Sequence, residues 1–459
     1  MPRARKAPRK AALRRPLAES RVRHWIPALL RLLGPAYARF ALGLDSLELR
    51  GAERLVEAWR DHQEGRARLA LAFRHPYGDE PQLLGYAIGA ELPRAAARMG
   101  RPLPLPPHAR FVHGYEVPLW SGPLVRWLLP RAGALPVYHV KFDQASVARL
   151  RAAYRDGPYP IALAPEGQIS YRSETLPRME RGALRLGFWC AEELRRADRG
   201  ERVLVLPISV HYDFDEGGIG RLERLVAETE AAAGIAAPGA APATLASMKS
   251  RLVSLDARLI EIAEGYYGIA HRGPDIPPRD ARLDAVLEEA LRRAEATLGL
   301  APEGDRIARV YRIRQEGWDR QRPSSTPKGG PLARRLADRA AGEAWYAMRH
   351  MELVDLCHYL DSAYLEGGGP SPGGPSFGRL VEAACSLADL ASRLLGGDIS
   401  DRPSPLRKKA TLIVAEPLDM TARYADYLKD RKGSVEAAAR DLEEAFLSCI
   451  EEHLHGRKD

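Results

Sequence analysis

A histidine followed closely by two acids is the first place in the chain where residue types suggest acid–base chemistry. The stretch LALAFRHPYGDEPQLL, residues 69–84, begins as an apolar run and then places His75 ahead of Asp79 and Glu80. An imidazole held by a carboxylate is suited to act as a general base, because the carboxylate fixes its tautomer. Either acid could be that partner. The same residues also suit a helix start, with Pro76 in the first turn and the acids near the positive end of the helix dipole.

Short apolar runs alternate with amphipathic stretches from residue 67 onward, and this alternation predicts the fold class. Two stretches show helical spacing, residues 142–157 and 181–198. The runs that predict buried strands are residues 68–75, 109–114, 133–138, 159–165 and 202–212. We therefore expect an α/β fold, a mixed sheet flanked by helices, with functional loops at the strand ends.

Positive charge is concentrated at the amino terminus. The chain of 459 residues has a formal net charge of +9, and residues 1–23 hold nine arginines and lysines against Glu19 alone. Residues 1–22 are therefore expected to form a basic, disordered tail. Such a tail is attracted to nucleic acid or to an anionic lipid surface, or is a solvated extension without a specific partner. Because the chain shows no sequence signature of a nucleic-acid-binding domain, nucleic acid is not an expected partner.

Membrane contact, if any, is expected to be peripheral, because no segment has the length and the large apolar residues of a bilayer span. Residues 23–44 are rich in Leu, Ala and aromatic residues but are interrupted by Arg31 and Arg39. This pattern suits a helix lying in the membrane interface, or a pair of helices covering the core. A second such segment is residues 117–131. The four cysteines are far apart with no Cys-x-x-Cys pair, which argues against a zinc site and favours a reducing compartment.

Four blocks, taken in chain order, resemble the motifs of the glycerophospholipid acyltransferase family, the group that contains the lysophosphatidic acid (1-acylglycerol-3-phosphate) acyltransferases. The family's first motif is His-x4-Asp, matched by residues 75–80, and its second is Gly-x-x-Pro-hydrophobic-Asp-Arg, matched by residues 133–139. The third motif, Pro-Glu-Gly-Thr-Arg-Ser, is matched by residues 165–170, and the fourth, a hydrophobic strand with Val-Pro, by residues 203–210. Four ordered blocks are more specific than any one of them.

The departures from these motifs concern charge. Glu80 stands where the family has aspartate, with Asp79 one residue earlier, so either could orient His75. His139 occupies the arginine position of the second motif, and Lys141 is the nearest strong cation. The third motif lacks its Thr-Arg pair, and Arg172 is the next cation. An arginine fork suits phosphate, so its absence leaves the acceptor lipid open.

The resemblance implies an O-acyltransferase that takes the acyl group from acyl-CoA or acyl-carrier protein as co-substrate. His75 would act as general base on a lysophospholipid hydroxyl such as that of 1-acylglycerol-3-phosphate, with Glu80 or Asp79 orienting the ring and without an acyl-enzyme. No cofactor or metal is implied, and the protein would work at the cytoplasmic face of a membrane. The substrate-binding positions carried over are Glu166, Gly167, His139, Lys141 and Arg172. The alternative is a catalytically silent lipid-binding or scaffolding protein on the same fold, and Glu166 alone would suit a turn that caps a strand.

The chain changes character after residue 214. Residues 221–350 are almost wholly helical in pattern, and we expect residues 215–405 to form a large helical insertion. Residues 406–459 return to a strand and a helix, and in the family such a pair closes the catalytic domain. We therefore expect residues 23–214 to form the first part of the catalytic domain and residues 406–459 to complete it.

Overall fold

The computed structural model describes residues 10–14, 19–138, 143–236, 244–271, 276–325, 328–357, 360, 364, 376–397 and 399–456. The chain forms two compact units. The sheet unit comprises Ala18–Asp213 and Arg407–Asp459, and the helical unit comprises Met1–Leu17 and Phe214–Leu406. Two of these boundaries lie next to the predicted limits of the helical insertion, whereas the first residues of the chain group with the helical unit.

An eight-stranded sheet forms the centre of the sheet unit. The described strands are β1 (Leu44–Arg50), β2 (Ala67–Phe73), β3 (Arg110–Gly114), β4 (Leu135–Val137), β5 (Ile161–Leu163), β6 (Arg202–Phe214), β7 (Lys408–Val414) and β8 (Leu418–Asp419). They follow the order β1-β7-β6-β2-β5-β3-β4, and β8 pairs with β6. β2 is parallel to both β5 and β6, and β8 is antiparallel to β6. The sheet is therefore mixed, as predicted.

The apolar runs become strands because helices cover both faces of the sheet. Every residue of β2 except Arg68 is buried, and most of β6 is buried as well, which is the pattern of central parallel strands. All five predicted strands are present: four are shorter than predicted, and β6 continues past its predicted end to Phe214. β1 and β8 were not predicted. β1 is an edge strand with several exposed polar residues, and β8 is two residues long, so neither forms an apolar run.

Helices before the helical unit are α1 (Trp25–Phe40), α2 (Ala52–Gln63), α3 (Glu80–Tyr86), α4 (Leu92–Arg98), α5 (Val117–Trp120), α6 (Gly122–Arg131), α7 (Gln144–Asp156) and α8 (Gly182–Arg196). The helical unit contains α9 (Ile219–Ala232), α10 (Leu245–Tyr267), α11 (Arg279–Leu298), α12 (Arg306–Gln321), α13 (Gly330–Cys357) and α14 (Phe377–Leu394). The chain ends in α15 (Tyr424–Lys429) and α16 (Arg431–His455). A π-helical turn, Ala87–Glu91, links α3 to α4, and the 3-10 turns are Glu216–Gly218 and Ile399–Asp401.

The core of the sheet unit joins α8 and α16 to one face of the sheet. The ring of Phe188 on α8 stacks on Tyr427 at 4.3 Å between centroids, and Phe446 of α16 is fully buried in the same cluster. The helix predicted within residues 406–459 is α16, and its apolar side chains, among them Val435, Leu442 and Ile450, are buried. These contacts fasten the last helix to the strands that carry the motif blocks.

The described part of the predicted basic tail is not free. Ala12 N–H donates to the carbonyl of Gln321 at 3.0 Å, and Arg14 N–H donates to the carbonyl of Pro323 at 2.9 Å. The side chain of Arg14 forms an ion pair with Asp319. The expectation of disorder therefore does not hold for these residues. Two backbone carbonyls at the end of α12 and just after it accept their N–H groups, and Asp319 pairs with the charge of Arg14.

No helix among the described residues combines the length and the apolarity needed to cross a membrane.

Candidate active site

His75 and Glu80 form a close pair where β2 ends. Nδ1 of His75 lies 2.6 Å from Oε2 of Glu80. Glu80 is the first residue of α3, and Asp79 precedes it at the N-cap. The loop is therefore both an imidazole–carboxylate pair and a helix start. The sequence also allowed a helix with Pro76 in its first turn. The observed helix starts later, at Glu80, and Pro76 lies in the loop before it.

Four donors surround the carboxylate of Glu80, and one of them, the Tyr212 hydroxyl, is shared with Asp79. Oε2 also accepts the backbone N–H of Gly78 at 2.8 Å, while Oε1 accepts the N–H of Tyr77 at 2.8 Å and the hydroxyl of Tyr212 at 2.9 Å. A carboxylate has about four acceptor positions, and all of these contacts favour the ionised form. Burial works against ionisation, but the hydrogen bonds and the charge of His75 outweigh it and lower the pKa of Glu80.

This ionised partner fixes the tautomer of His75. Because Glu80 can only accept, Nδ1 carries a proton and the neutral ring has its lone pair on Nε2. The side chain of His75 is 18% exposed, whereas that of Glu80 is fully buried, so the ring is the accessible member of the pair. Burial disfavours the imidazolium, but Glu80, with Glu166 and Asp79, outweighs this effect and raises the pKa of His75. Nε2 can therefore act as a general base.

Asp79, the other candidate for orienting His75, contacts different groups. Its Oδ1 accepts the hydroxyl of Tyr212 at 2.6 Å, and its Oδ2 forms an ion pair with Lys408. The Lys408 side chain is buried, with Nζ 4.5 Å from the ring centroid of Tyr212 and 5.1 Å from that of Tyr77. Glu80 is thus the carboxylate that holds the imidazole, and Asp79 belongs to a second layer behind it.

Arg74 ties the loop after β5 to the end of β2. Its side chain is fully buried, and Nε lies 3.3 Å from Oε1 of Glu166. The guanidinium also donates to three backbone carbonyls of that loop, those of Arg172, Ser173 and Thr175, at 2.7–3.0 Å. A buried ion pair therefore joins the residue just before the first block to the third block.

Glu166 and Gly167 occupy a turn directly after β5. Gly167 has φ +72°, a left-handed conformation that suits glycine, and its N–H donates to the carbonyl of Ala164 at 3.2 Å. Glu166 is buried, which raises its pKa despite the neighbouring charge of Arg74. Its Oε2 is buried without a hydrogen-bond partner among the described residues. In this structure Glu166 closes the loop, and its predicted contact with an acceptor stays a prediction.

Three of the four blocks converge on one edge of the sheet. β2 lies between β5 and β6 and is parallel to both, so the ends that carry His75, Glu166 and Tyr212 point the same way. The second block follows Gly133 into β4, which β5 and β3 separate from β2. Its polar positions His139 and Lys141 lie outside the described residues. Arg172 is half-buried in the loop that Arg74 holds.

Sequence reasoning missed Arg74, Tyr212 and Lys408. Arg74 is adjacent to His75 at the end of an apolar run, and this position could have indicated that its side chain lies at the site. Tyr212 ends a predicted strand, but nothing local pairs it with Asp79. Lys408 lies 329 positions from Asp79 along the chain, and only the position of β7 in the mixed sheet brings the two together.

The chain matches no protein-family model and no curated protein. The His, Cys, Asp and Glu side chains of the described residues form no group of three or more that could hold a metal ion.

Proposed function

We propose that this protein transfers a fatty acyl group from an acyl thioester, acyl-CoA or acyl-carrier protein, to the hydroxyl of a lysoglycerophospholipid such as 1-acylglycerol-3-phosphate. The observation that carries the proposal is the His75–Glu80 pair, 2.6 Å apart, in which the buried carboxylate leaves Nε2 of His75 as the proton acceptor. A lysolipid hydroxyl is a weak nucleophile near neutral pH, and such a pair supplies what the reaction needs.

The reaction proceeds by direct transfer. Nε2 of His75 takes the proton from the acceptor hydroxyl as its oxygen attacks the thioester carbonyl, and a C–O bond forms. The tetrahedral intermediate then collapses, the C–S bond breaks, and the imidazolium returns the proton to the leaving thiolate. Glu80 stabilises the imidazolium between these steps, because its ionised carboxylate faces Nδ1. The products are the acylated lipid and the free thiol.

The sheet supports this assignment by bringing distant blocks to one place. His75 follows β2, the Glu166–Gly167 turn follows β5, and Tyr212 lies near the end of β6. Side chains that converge at the carboxyl ends of neighbouring parallel strands are typical of binding and catalytic sites in α/β folds. This arrangement is the one expected if the first, third and fourth blocks are acyltransferase motifs.

An apolar surface next to the site fits a lipid substrate. On α1 the exposed fractions are 76% for Leu32, 51% for Leu33 and 79% for Phe40, and α1 packs against α3, the helix that begins with Glu80. Trp25 of α1 lies 6.0 Å from Trp127 of α6 between ring centroids, so the two helices share this surface. Exposed large apolar groups in this number mark an interaction site rather than ordinary surface.

The segments that form this surface carry positive charge, which favours an anionic partner. Residues 20–44 contain four arginines and no acidic residue, and residues 117–131 contain two arginines and no acidic residue. Cations beside exposed Leu, Trp and Phe side chains are the pattern of a surface that lies on an anionic bilayer. We therefore propose a peripheral protein that meets its lysolipid at the cytoplasmic face of a membrane.

The proposal is tested by offering the purified protein labelled acyl-CoA or acyl-carrier protein together with lysolipids of different headgroups in mixed micelles. We expect a diacyl product with at least one acceptor, dependent on His75. Binding of lysolipids without transfer to any of them, by protein shown to be folded, would contradict the proposal and favour the silent lipid-binding alternative.

A further inference from the structure

Two carboxylates converge on one hydroxyl behind His75. The O–H of Tyr212 is 2.6 Å from Oδ1 of Asp79 and 2.9 Å from Oε1 of Glu80. A hydroxyl has one proton, so it cannot satisfy both acceptors fully. Two ionised carboxylates this close repel each other, and burial strengthens the repulsion. A cation is therefore needed at this point.

Lys408 supplies the cation. It is the first residue of β7, it is 4% exposed, and its ammonium pairs with Oδ2 of Asp79. The ring of Tyr212 flanks the same ammonium. Glu166, the other carboxylate near His75, is paired with Arg74. Each of these two acids therefore has its own cation, whereas Glu80 faces the imidazole.

We propose that Lys408 is a positioning residue of this site: it neutralises Asp79, so that Glu80 alone acts on His75 as an uncompensated negative charge. The cluster then carries one net negative charge with neutral His75 and none with the imidazolium. The imidazolium of the transfer step is thereby stabilised by Glu80. The proposal rests on the proposed function for its purpose, but its charge balance can be measured without any substrate.

The titratable and charged groups around His75 come from several elements. They are Arg74, Tyr77, Asp79 and Glu80 around the end of β2, Glu166 after β5, Tyr212 on β6, Lys408 on β7 and Tyr37 on α1. Burial and the charge of Asp79 raise the pKa of Tyr37.

Removing Lys408 should expose His75 to a second negative charge. In Lys408→Met, Asp79 is left without its cation and favours the imidazolium, so the pKa of His75 should rise by on the order of one unit. In Asp79→Asn the unpaired Lys408 disfavours the imidazolium, so the pKa should fall. In the double variant both charges are gone, and the pKa should return close to that of the wild type.

The experiment is a titration of the His75 ring by NMR on histidine-labelled protein, with the signal assigned by its loss in His75→Gln. Lys409→Met is the matched control, because Lys409 is the next residue of β7 and its side chain is exposed. This control should leave the pKa of His75 unchanged. Lys408→Arg keeps the charge and should stay close to the wild type.

An unchanged or lowered pKa of His75 in Lys408→Met would overturn the proposal. If that variant does not fold, Asp79→Asn is compared with the double variant, which lacks the buried cation in addition. The pKa of His75 must then be higher in the double variant, and an equal value would overturn the proposal too. The titration uses no lipid and no thioester, so absence of acyl transfer would contradict the proposed function and leave this inference standing.

Discussion

Glu80 reaches His75 from the first residue of α3, and its Oε2 lies 2.6 Å from Nδ1 of the ring. The acyltransferase motif has aspartate at this position, one methylene shorter. The backbone N–H groups of Tyr77 and Gly78 hold the longer side chain as it folds back over the loop. The contact therefore has the spacing that the resemblance to this motif implies, four residues between histidine and acid, with glutamate as the acid.

Glu80→Gln should lose far more activity than Asp79→Asn. The amide cannot stabilise the imidazolium and can present a donor to Nδ1, which would favour the wrong tautomer, so we expect the transfer rate to fall by roughly 10²-fold or more. Asp79→Asn, which leaves the His75–Glu80 contact in place, should cost less than about 10-fold. Initial rates of labelled acyl transfer measure both. A larger loss in Asp79→Asn would show that the orienting acid has been assigned wrongly.

The transfer rate of Glu80→Asp should lie between those of Glu80→Gln and Asp79→Asn. The shorter side chain leaves a gap to Nδ1 while keeping the charge, so a water molecule or a small movement of the loop has to bridge it. Wild-type activity in this variant would mean that the present geometry of Glu80 is not required for transfer.

The pH dependence of transfer should follow the imidazole of His75. Its pKa is raised by Glu80, Glu166 and Asp79 against the opposing effect of burial, so kcat/KM should increase with pH through a value above the ordinary imidazole range of about 6.5. Below that pKa the ring is protonated and cannot accept the acceptor's proton. In Glu80→Gln, the residual kcat/KM should rise at lower pH than in the wild type, because the contact that most raises the pKa of His75 is gone. This rise is the acidic limb of the pH profile. A limb that moves upward in this variant would contradict the assignment.

Arg74 should matter for folding more than any exposed arginine. Arg74→Met leaves the buried Glu166 and three loop carbonyls without their donor, and breaking a buried pair in this way typically costs about 3–5 kcal/mol of unfolding free energy. Arg196→Met is the control, because Arg196 is 71% exposed in its pair with Glu192, and such surface pairs contribute about 0–1 kcal/mol. Denaturant unfolding of both variants gives the comparison. Equal losses of unfolding free energy in the two variants would show that the buried contacts of Arg74 do not stabilise the fold.

The central strands could be predicted because burial on both faces gives continuous apolar runs, as in β2 and β6, and α7 and α8 could be predicted from their helical spacing. Edge strand β1 could not, because its exposed side chains are polar. The His75–Glu80 contact was available from local spacing, since the two residues share a loop. The Asp79–Lys408 pair was not, because it depends on how β7 enters the sheet. Arg14 shows a further limit: composition indicated a free basic tail, while the fold supplies Asp319 as its partner.

The apolar surface of α1 should control binding to anionic vesicles. Replacing Leu32 and Phe40 by Glu removes two of its most exposed apolar groups and adds negative charge, so affinity for vesicles rich in anionic lipid should fall by at least about 10-fold. Leu428→Glu is the control, because Leu428 is 57% exposed on α15, away from this helix pair in the chain. Vesicle co-sedimentation measures the change. Equal losses in the control and in the α1 variant would show that general charge, rather than this surface, governs binding.

The transfer rate of His75→Ala tests the central claim most directly. The wild type and this variant are compared in the same assay, with labelled acyl thioester and the acceptor that the wild type uses best, after circular dichroism shows that both are folded. Without Nε2 as base we expect the rate to fall by roughly 10²–10⁴-fold, the usual contribution of general acid–base catalysis. A variant that keeps more than about a tenth of the wild-type rate would contradict His75 as the base and the account built on it.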